Sequence, residues 1–204
     1  MHTKLANILV GIIGLIIGAL SFYLVSPFLI SSEWWPGHTA HNHSDEEYHI
    51  HTDFLIVVED EIINLSHSEY MSTATQTLHK HVHLHDNDDN LLHVHHENIS
   101  FVEFLASLNI TLTDSCLTLP SKEVRCTDGT TQLMLYVNNE QFTGPLSSYT
   151  PKDLDRVLLY LGTNGNTAEA IFGPKITDEA CIFSGSCPER GLPPPESCGL
   201  TCEL

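Results

Sequence analysis

Seven histidines lie within the eighteen residues from His79 to His96. Most of them alternate with apolar residues, which is the period of a β-strand, because successive strand side chains point to opposite faces. The residues from Asp86 to Asn90 have the composition of a turn. The segment therefore predicts a β-hairpin with imidazoles on one face and valine and leucine on the other. Imidazole is the commonest metal ligand among side chains and titrates near neutral pH. The pattern therefore indicates a surface that binds a metal ion or takes up protons.

The length of the hairpin loop decides which residues face each other. A loop with an odd number of residues, such as Asp86 to Asn90, pairs His83 with His93 and His81 with His95. An even loop would place histidines beside valines, and a slip of one residue moves every side chain to the other face, so we expect the odd loop. Directly opposed residues have Cβ atoms about 4.5–5.5 Å apart. This separation suits imidazoles that share one ion through metal–nitrogen bonds of about 2.0–2.1 Å.

The hairpin and the strand predicted before it define the candidate ligands. We expect their rings to emerge together on an exposed surface of the sheet. Zn(II) and Cu(II) are the expected ions, because imidazole suits both, whereas Cu(I) prefers thioether or thiolate sulfur. Glu97 is a candidate to orient the ring of His79 by a hydrogen bond without itself binding the metal. The candidate metal ligands are His81, His83, His93 and His95, with His79, His85, His49, His51 and His96 as additions.

Other interpretations of the histidines remain open. They are compatible with the polar half of an ordinary amphipathic strand. They are also compatible with a metal-free surface that becomes charged as the pH falls through the histidine pKa of about 6.5. Such a surface would make docking to a partner in the cell envelope pH-sensitive, which defines a structural or interaction protein as the alternative function. A redox accessory role for the tail cysteines is a second alternative.

Sequence signatures of enzymes are mostly missing, so we do not expect an enzyme or a small-molecule substrate. His96 and Glu97 are not followed by the second histidine of a zinc-protease motif, and no Gly-rich phosphate loop or Gly-x-Ser-x-Gly elbow occurs. Cys198 and Cys202 are one residue too far apart for a Cys-x-x-Cys redox motif. The net charge of −18 excludes nucleic acid as a natural partner and favours cations.

An apolar segment near the N-terminus predicts a membrane anchor. The 21 residues from Leu5 to Val25 carry no charge, and this length can cross a hydrocarbon core about 30 Å thick. Lys4 precedes the segment and the first acid is Glu33, which places the N-terminus inside and the rest outside the cytoplasm. A cleaved signal peptide is the rival interpretation, but its apolar region should span only about 7–15 residues. We assign residues 1–30 to the anchor and residues 31–47 to a polar, histidine-containing stalk.

The exported part predicts one α+β domain at residues 48–162. We expect a small mixed sheet with one short helix, similar to a β-grasp arrangement. Ser100 and Glu103 form a capping box at the start of the helix, and Asn109 is placed to end it in the left-handed conformation. The other predicted elements are strands at Tyr48–Val58, Ile62–Leu65, Gln132–Val137, Gln141–Phe142 and Arg156–Leu161, and a helical turn at Thr150–Leu154.

Residues 163–204 predict a tail that is rich in cysteine and proline. Residues 163–168 have the composition of a loop, and a short helix is expected to begin at Thr177–Ala180. An even number of cysteines suits an exported chain, where disulfides persist. A zinc site of four cysteines is the alternative, although the spacings are not typical of one. The expected pairs, chosen for closeness in the chain, are Cys116–Cys126, Cys181–Cys187 and Cys198–Cys202.

Three stretches resemble an uncharacterised group of membrane-anchored, exported prokaryotic proteins. They are His83–Asp86 with His93–His95, Lys152–Arg156, and the segment Asp178–Cys198 with its Cys-Pro-Glu-Arg-Gly sequence. The resemblance covers the chain roughly from His49 to the C-terminus. It implies an anchored, exported architecture and no particular reaction, since the group has no established activity.

Overall fold

The computed structural model describes residues 48–73 and 75–195. The predicted anchor at Leu5–Val25, the stalk at residues 31–47 and the predicted Cys198–Cys202 pair lie outside the described residues. Within residues 48–73 and 75–195, no helix has the length and the apolar character that a membrane crossing requires.

The described chain folds into a mixed α+β structure, which confirms the predicted class. One helix, α1, follows the histidine hairpin, and two more, α2 and α3, follow the last strand. The strands are β1 Ile50–Val58, β2 Glu61–Ile62, β3 Val82–His83, β4 Leu91–Val94, β5 Thr111–Leu112, β6 Cys116–Thr118, β7 Val124–Cys126, β8 Gln132–Val137, β9 Glu140–Gln141 and β10 Arg156–Gly162. The helices are α1 Phe101–Ser107, α2 Gly165–Phe172 and α3 Ala180–Phe183.

Seven of the strands form one sheet in the order β3–β4–β1–β10–β8–β9, with β2 paired to β1. The first and last strands, β1 and β10, run parallel at its centre. The histidine hairpin β3–β4 lies on the other side of β1 and pairs with it antiparallel. This position of the hairpin departs from the simplest β-grasp arrangement. Strands β5, β6 and β7 form a separate small sheet.

The two faces of the large sheet bury different cores. Alternation along the hairpin places two valines and two leucines on the face that α1 covers, as predicted. Burial of each large apolar side chain contributes about 1.5–3 kcal/mol. This core includes Val82, Leu84, Leu92 and Val94 of the hairpin region and Phe101, Phe104, Leu105 and Leu108 of the helix region.

The predicted capping box at the start of α1 is present. The Ser100 hydroxyl accepts the Glu103 backbone N–H, and the Glu103 carboxylate accepts the Ser100 backbone N–H. These hydrogen bonds satisfy amide donors that have no partner within the helix. The hydrogen bond from the Ser100 backbone is the largest cause that lowers the pKa of Glu103 below its ordinary value.

Ser100→Ala is expected to lower the free energy of unfolding by about 1 kcal/mol at neutral pH. Because the folded-state pKa of Glu103 is depressed, its contribution is present above the unfolded-state pKa and is lost as the pH falls through the folded-state pKa. The difference between variant and wild type should therefore shrink in acid. Urea unfolding at several pH values measures this difference in the free energy of unfolding, and Ser147→Ala, at an exposed serine, is the control. An equal loss in both variants would contradict the role of the cap.

Three local predictions were wrong, each because tertiary contacts dominate. The strand predicted at Ile62–Leu65 is shorter, since Leu65 turns into the core. The helical turn predicted at Thr150–Leu154 is absent, since this segment runs along β1, where Leu154 N–H donates to His51 O at 2.8 Å. The loop predicted at residues 163–168 is shorter, because α2 begins at Gly165 and packs on the sheet. Both disulfides predicted within the described residues, Cys116–Cys126 and Cys181–Cys187, are confirmed.

Candidate metal centre

The histidine hairpin has the predicted register. His83 lies opposite His93 in the β3–β4 pair, and His95 N–H donates to His81 O at 2.8 Å beyond it. On its other side, β4 pairs with β1, and this pairing places His93 opposite His51. Histidines from three neighbouring strands therefore lie side by side on the same face of the sheet. The sequence showed the alternation in each strand, whereas the pairing of β4 with β1 joins segments far apart in the chain.

These histidines are buried, which corrects the expected exposed surface. The exposed fractions are 2% for His51 and 0% for His83 and His93. Helix α3 lies over this face, with the ring of Phe183 centred 5.6 Å from the rings of both His51 and His93. The sequence did not reveal the burial, because the cover comes from Phe183 in the tail, which is far from the hairpin in the chain.

Six histidines form what we call the imidazole cluster: His49, His51, His83, His85, His93 and His95. The cluster occupies the β3–β4–β1 half of this face, whereas the other half is an apolar core beneath α2. Adjacent rings lie at packing distance from one end of the cluster to the other. The ring-centroid distances are 5.0 Å for His83–His95, 4.2 Å for His95–His49, 4.4 Å for His49–His51, 4.7 Å for His51–His93 and 3.9 Å for His93–His85.

Three members of the cluster have the geometry to hold a metal ion. His49, His51 and His93 each offer one ring nitrogen, and these nitrogens all lie within 4.8 Å of one another. Two ligands of a tetrahedral zinc ion lie about 3.3 Å apart when each metal–nitrogen bond is about 2.0–2.1 Å. Closure onto an ion therefore requires movements of about 1 Å, which small rotations of the rings can supply.

The remaining sequence-predicted histidines lie in two other places. His81, His79 and His96 group at the open end of the hairpin, with ring centroids 4.9 Å apart for His81–His96 and 6.1 Å apart for His79–His81. Burial and then the neighbouring His96 and Lys80 lower the pKa of His81. His79 Nδ1 accepts the His81 backbone N–H, while Glu97 presents its backbone carbonyl to His96.

His83, His85 and His95 lie inside the cluster beside the three-histidine group. His85 Nδ1 lies 2.7 Å from a carboxylate oxygen of Asp86. Because a carboxylate can only accept, Nδ1 carries the proton, and in the neutral ring Nε2 has the lone pair. Such a carboxylate–histidine pair is the arrangement that commonly accompanies metal-ligating histidines.

Asp53 holds the tail against the cluster, a role that no sequence motif predicted. Its buried carboxylate accepts hydrogen bonds from Thr177 Oγ1 at 2.6 Å and from the backbone N–H groups of Glu179 and Ala180 at 2.9 and 3.1 Å. Its cross-strand partner Arg156 binds three backbone carbonyls in the segment before α3. An acid directly before the apolar run Phe54–Val58 of strand β1 was the signal that could have identified it, since buried charges require partners.

A cavity of about 260 Å³ adjoins the cluster. Burial raises the pKa of Asp88 in its wall, and it also raises the pKa of Glu179, to which Asp88 is hydrogen-bonded. This carboxyl pair joins the hairpin loop to the tail. The lining residues are His85, Asp86, Asp88, His93, Phe183, Pro194 and Pro195. A larger cavity of about 550 Å³ near Phe142 and Tyr149 has no histidine in its described lining.

Comparisons with protein-family models, with curated proteins and with solved structures find no match to this chain. The function is therefore inferred from the chemistry of the site itself.

Proposed function

We propose that this protein is a membrane-anchored, exported protein that binds one divalent transition-metal ion, Zn(II) or Cu(II), through His49, His51 and His93. The observation that carries the proposal is the convergence of three ring nitrogens within 4.8 Å of one another. Three imidazoles leave one position of a tetrahedral ion for a further ligand.

The donor atoms near the site favour Zn(II) or Cu(II) over Cu(I). Imidazole nitrogen suits the first two ions, whereas Cu(I) prefers sulfur. Met71 belongs to the core on the opposite face of the sheet, and Met134 packs in the apolar core beneath α2. All four described cysteines are in disulfides. Among the described residues, the three-histidine group therefore offers the ion nitrogen ligands and no sulfur ligand.

Carboxylates near the cluster favour a cation there. A buried divalent ion with neutral imidazole ligands requires negative charge close by. Asp86 is hydrogen-bonded to His85, and Asp153 is linked to His51 through the hydroxyl of Ser184. These two carboxylates match the charge of one divalent ion. The net charge of −18 further favours cations around the protein.

Two features support the anchored and exported part of the proposal. The uncharged segment Leu5–Val25 has the length of a membrane span. The disulfides Cys116–Cys126 and Cys181–Cys187 are of the kind that persists outside a reducing cytosol.

Metal titration of the full-length protein, purified without a histidine-affinity column and stripped with a chelator, tests the proposal. We expect one Zn(II) or Cu(II) per chain with a dissociation constant of about 1 μM or tighter. His51→Gln removes one of three ligands and should weaken binding by more than about 100-fold, the upper range for loss of an outer residue. The exposed His67, outside the cluster, provides the matched control His67→Gln, which should bind as the wild type does.

Millimolar affinity that His51→Gln leaves unchanged would reject the metal site. The pH-sensitive interaction protein would then be the next candidate, because His79, His81 and His96 group at the open end of the hairpin. This alternative predicts binding to an envelope partner in the presence of chelator, with an affinity that changes between about pH 7.5 and 5.5.

A further inference from the structure

We infer that Ser184 and Asp153 are positioning residues for the metal site, because they fix the ring nitrogen that His51 presents to the ion. The inference rests on the proposed metal-binding function. It assigns a role to two residues that lie outside the hairpin and are not themselves ligands.

A chain of hydrogen bonds decides where the proton of His51 resides. His51 Nδ1 lies 2.8 Å from Ser184 Oγ, and Ser184 Oγ lies 2.5 Å from Asp153 Oδ1. A serine hydroxyl has one proton, and a carboxylate can only accept. Ser184 therefore donates to Asp153 and accepts from His51, so Nδ1 carries the imidazole proton. The lone pair of the neutral ring then lies on Nε2, a nitrogen that is buried from solvent.

Asp153 also holds the backbone of the same ligand. Its Oδ1 accepts the His51 backbone N–H at 3.0 Å, and the His51 carbonyl accepts the backbone N–H of the next residue, Leu154, at 2.8 Å. The backbone and the ring of His51 are thus held by one turn of the chain. A ligand that is oriented before the ion arrives loses less freedom on binding.

The position of Ser184 is itself fixed by a covalently closed loop. The disulfide Cys181–Cys187 encloses Phe183 and Ser184. Gly185 follows with φ +65, a left-handed conformation that favours glycine and turns the chain back. Phe183 packs on the rings of His51 and His93. The tail loop therefore brings both an apolar cover and a hydroxyl acceptor to the site.

The test compares three serine variants of the full-length protein in zinc titrations. Ser184→Ala removes the acceptor and should weaken zinc binding by about 10–100-fold, the usual effect of losing a group that orients a metal ligand. Ser184→Thr keeps a hydroxyl and should bind within about threefold of the wild type. Ser186→Ala is the matched control, because the Ser186 hydroxyl of the same loop bonds the Cys181 carbonyl instead.

A second measurement separates positioning from mere support of the fold. Nitrogen-15 NMR of the metal-free protein reports which ring nitrogen of His51 is protonated. We expect the Nδ1–H form in the wild type and in Ser184→Thr, and loss of that preference in Ser184→Ala.

Two outcomes would overturn the inference. One is an Nε2–H tautomer of His51 in the wild type, and the other is zinc affinity of Ser184→Ala equal to that of a zinc-binding wild type. Equal zinc affinity of the two proteins would reject the role of Ser184 but not the proposed metal-binding function. A wild type that binds no zinc would reject the proposed function itself.

Discussion

Asp53→Ala is expected to release the C-terminal segment from the sheet and to weaken metal binding together with stability. The carboxylate is 1% exposed and accepts hydrogen bonds from Thr177, Glu179 and Ala180. Each buried donor that loses its acceptor costs about 1–3 kcal/mol, so the free energy of unfolding should fall by about 3 kcal/mol or more. The loss of zinc affinity should follow, because the same segment carries Phe183 and Ser184 to the imidazole cluster. Urea unfolding and zinc titration measure the two effects.

Asp128→Ala is the matched control for this variant. Asp128 also accepts three hydrogen bonds, from the backbone and hydroxyl of Thr130 and the backbone of Thr131. These bonds, the one from the Thr131 backbone first, lower its pKa to about 2, but the residue is fully exposed and its turn lies away from the cluster. Its loss should leave zinc affinity unchanged and stability nearly so. Equal effects of Asp53→Ala and Asp128→Ala would show that Asp53 does not anchor the tail.

Phe104→Ala is expected to destabilise the fold strongly while it leaves zinc affinity unchanged. Phe104 is fully buried at 0% exposure, and its ring stands edge-on to Phe54 with centroids 5.1 Å apart. Loss of a buried phenylalanine costs about 3–5 kcal/mol through lost burial and the cavity left behind. The residue packs on the face of the sheet opposite the histidines, so the folded variant should keep the site.

Zinc titration at a temperature where Phe104→Ala stays folded checks this expectation. Affinity within about twofold of the wild type would separate this variant from Asp53→Ala, whose loss of stability comes with loss of the site. A fall in zinc affinity that matches the fall in stability would mean that any destabilisation disrupts the site. Val124→Ala, at a residue that is 58% exposed, provides the surface control.

Features governed by near neighbours in the chain were predictable from the sequence. Alternation of imidazole with valine and leucine gave the faces of the hairpin and, with an odd loop, the pairing of His83 with His93. Ser100 and Glu103 lie three residues apart and gave the start of α1. These rules depend on the period of a strand or on one turn of a helix, so they need no knowledge of the rest of the fold.

Features that depend on distant segments were not predictable in the same way. His51 lies beside His93 because β1 pairs with β4, and a strand and hairpin of this composition allow several other pairings. The burial of these histidines follows from Phe183 in the tail. Helix α2 was missed because Asn164 and Gly165 are typical of a turn, and the helix instead forms where Phe172 packs in the second core.

The site depends on contacts between segments that are synthesised early and late, so it cannot form until most of the chain is made. His51 and Ser184 are 133 residues apart, and β1 must wait for β10 before its central pairing is complete. Contacts of such separation form slowly, because a large loop must close first. Until these contacts form, the histidines of β1 and of the hairpin are not held side by side. If the proposed metal site exists, it therefore reaches its final shape only after β10 and the loop closed by Cys181–Cys187 have docked.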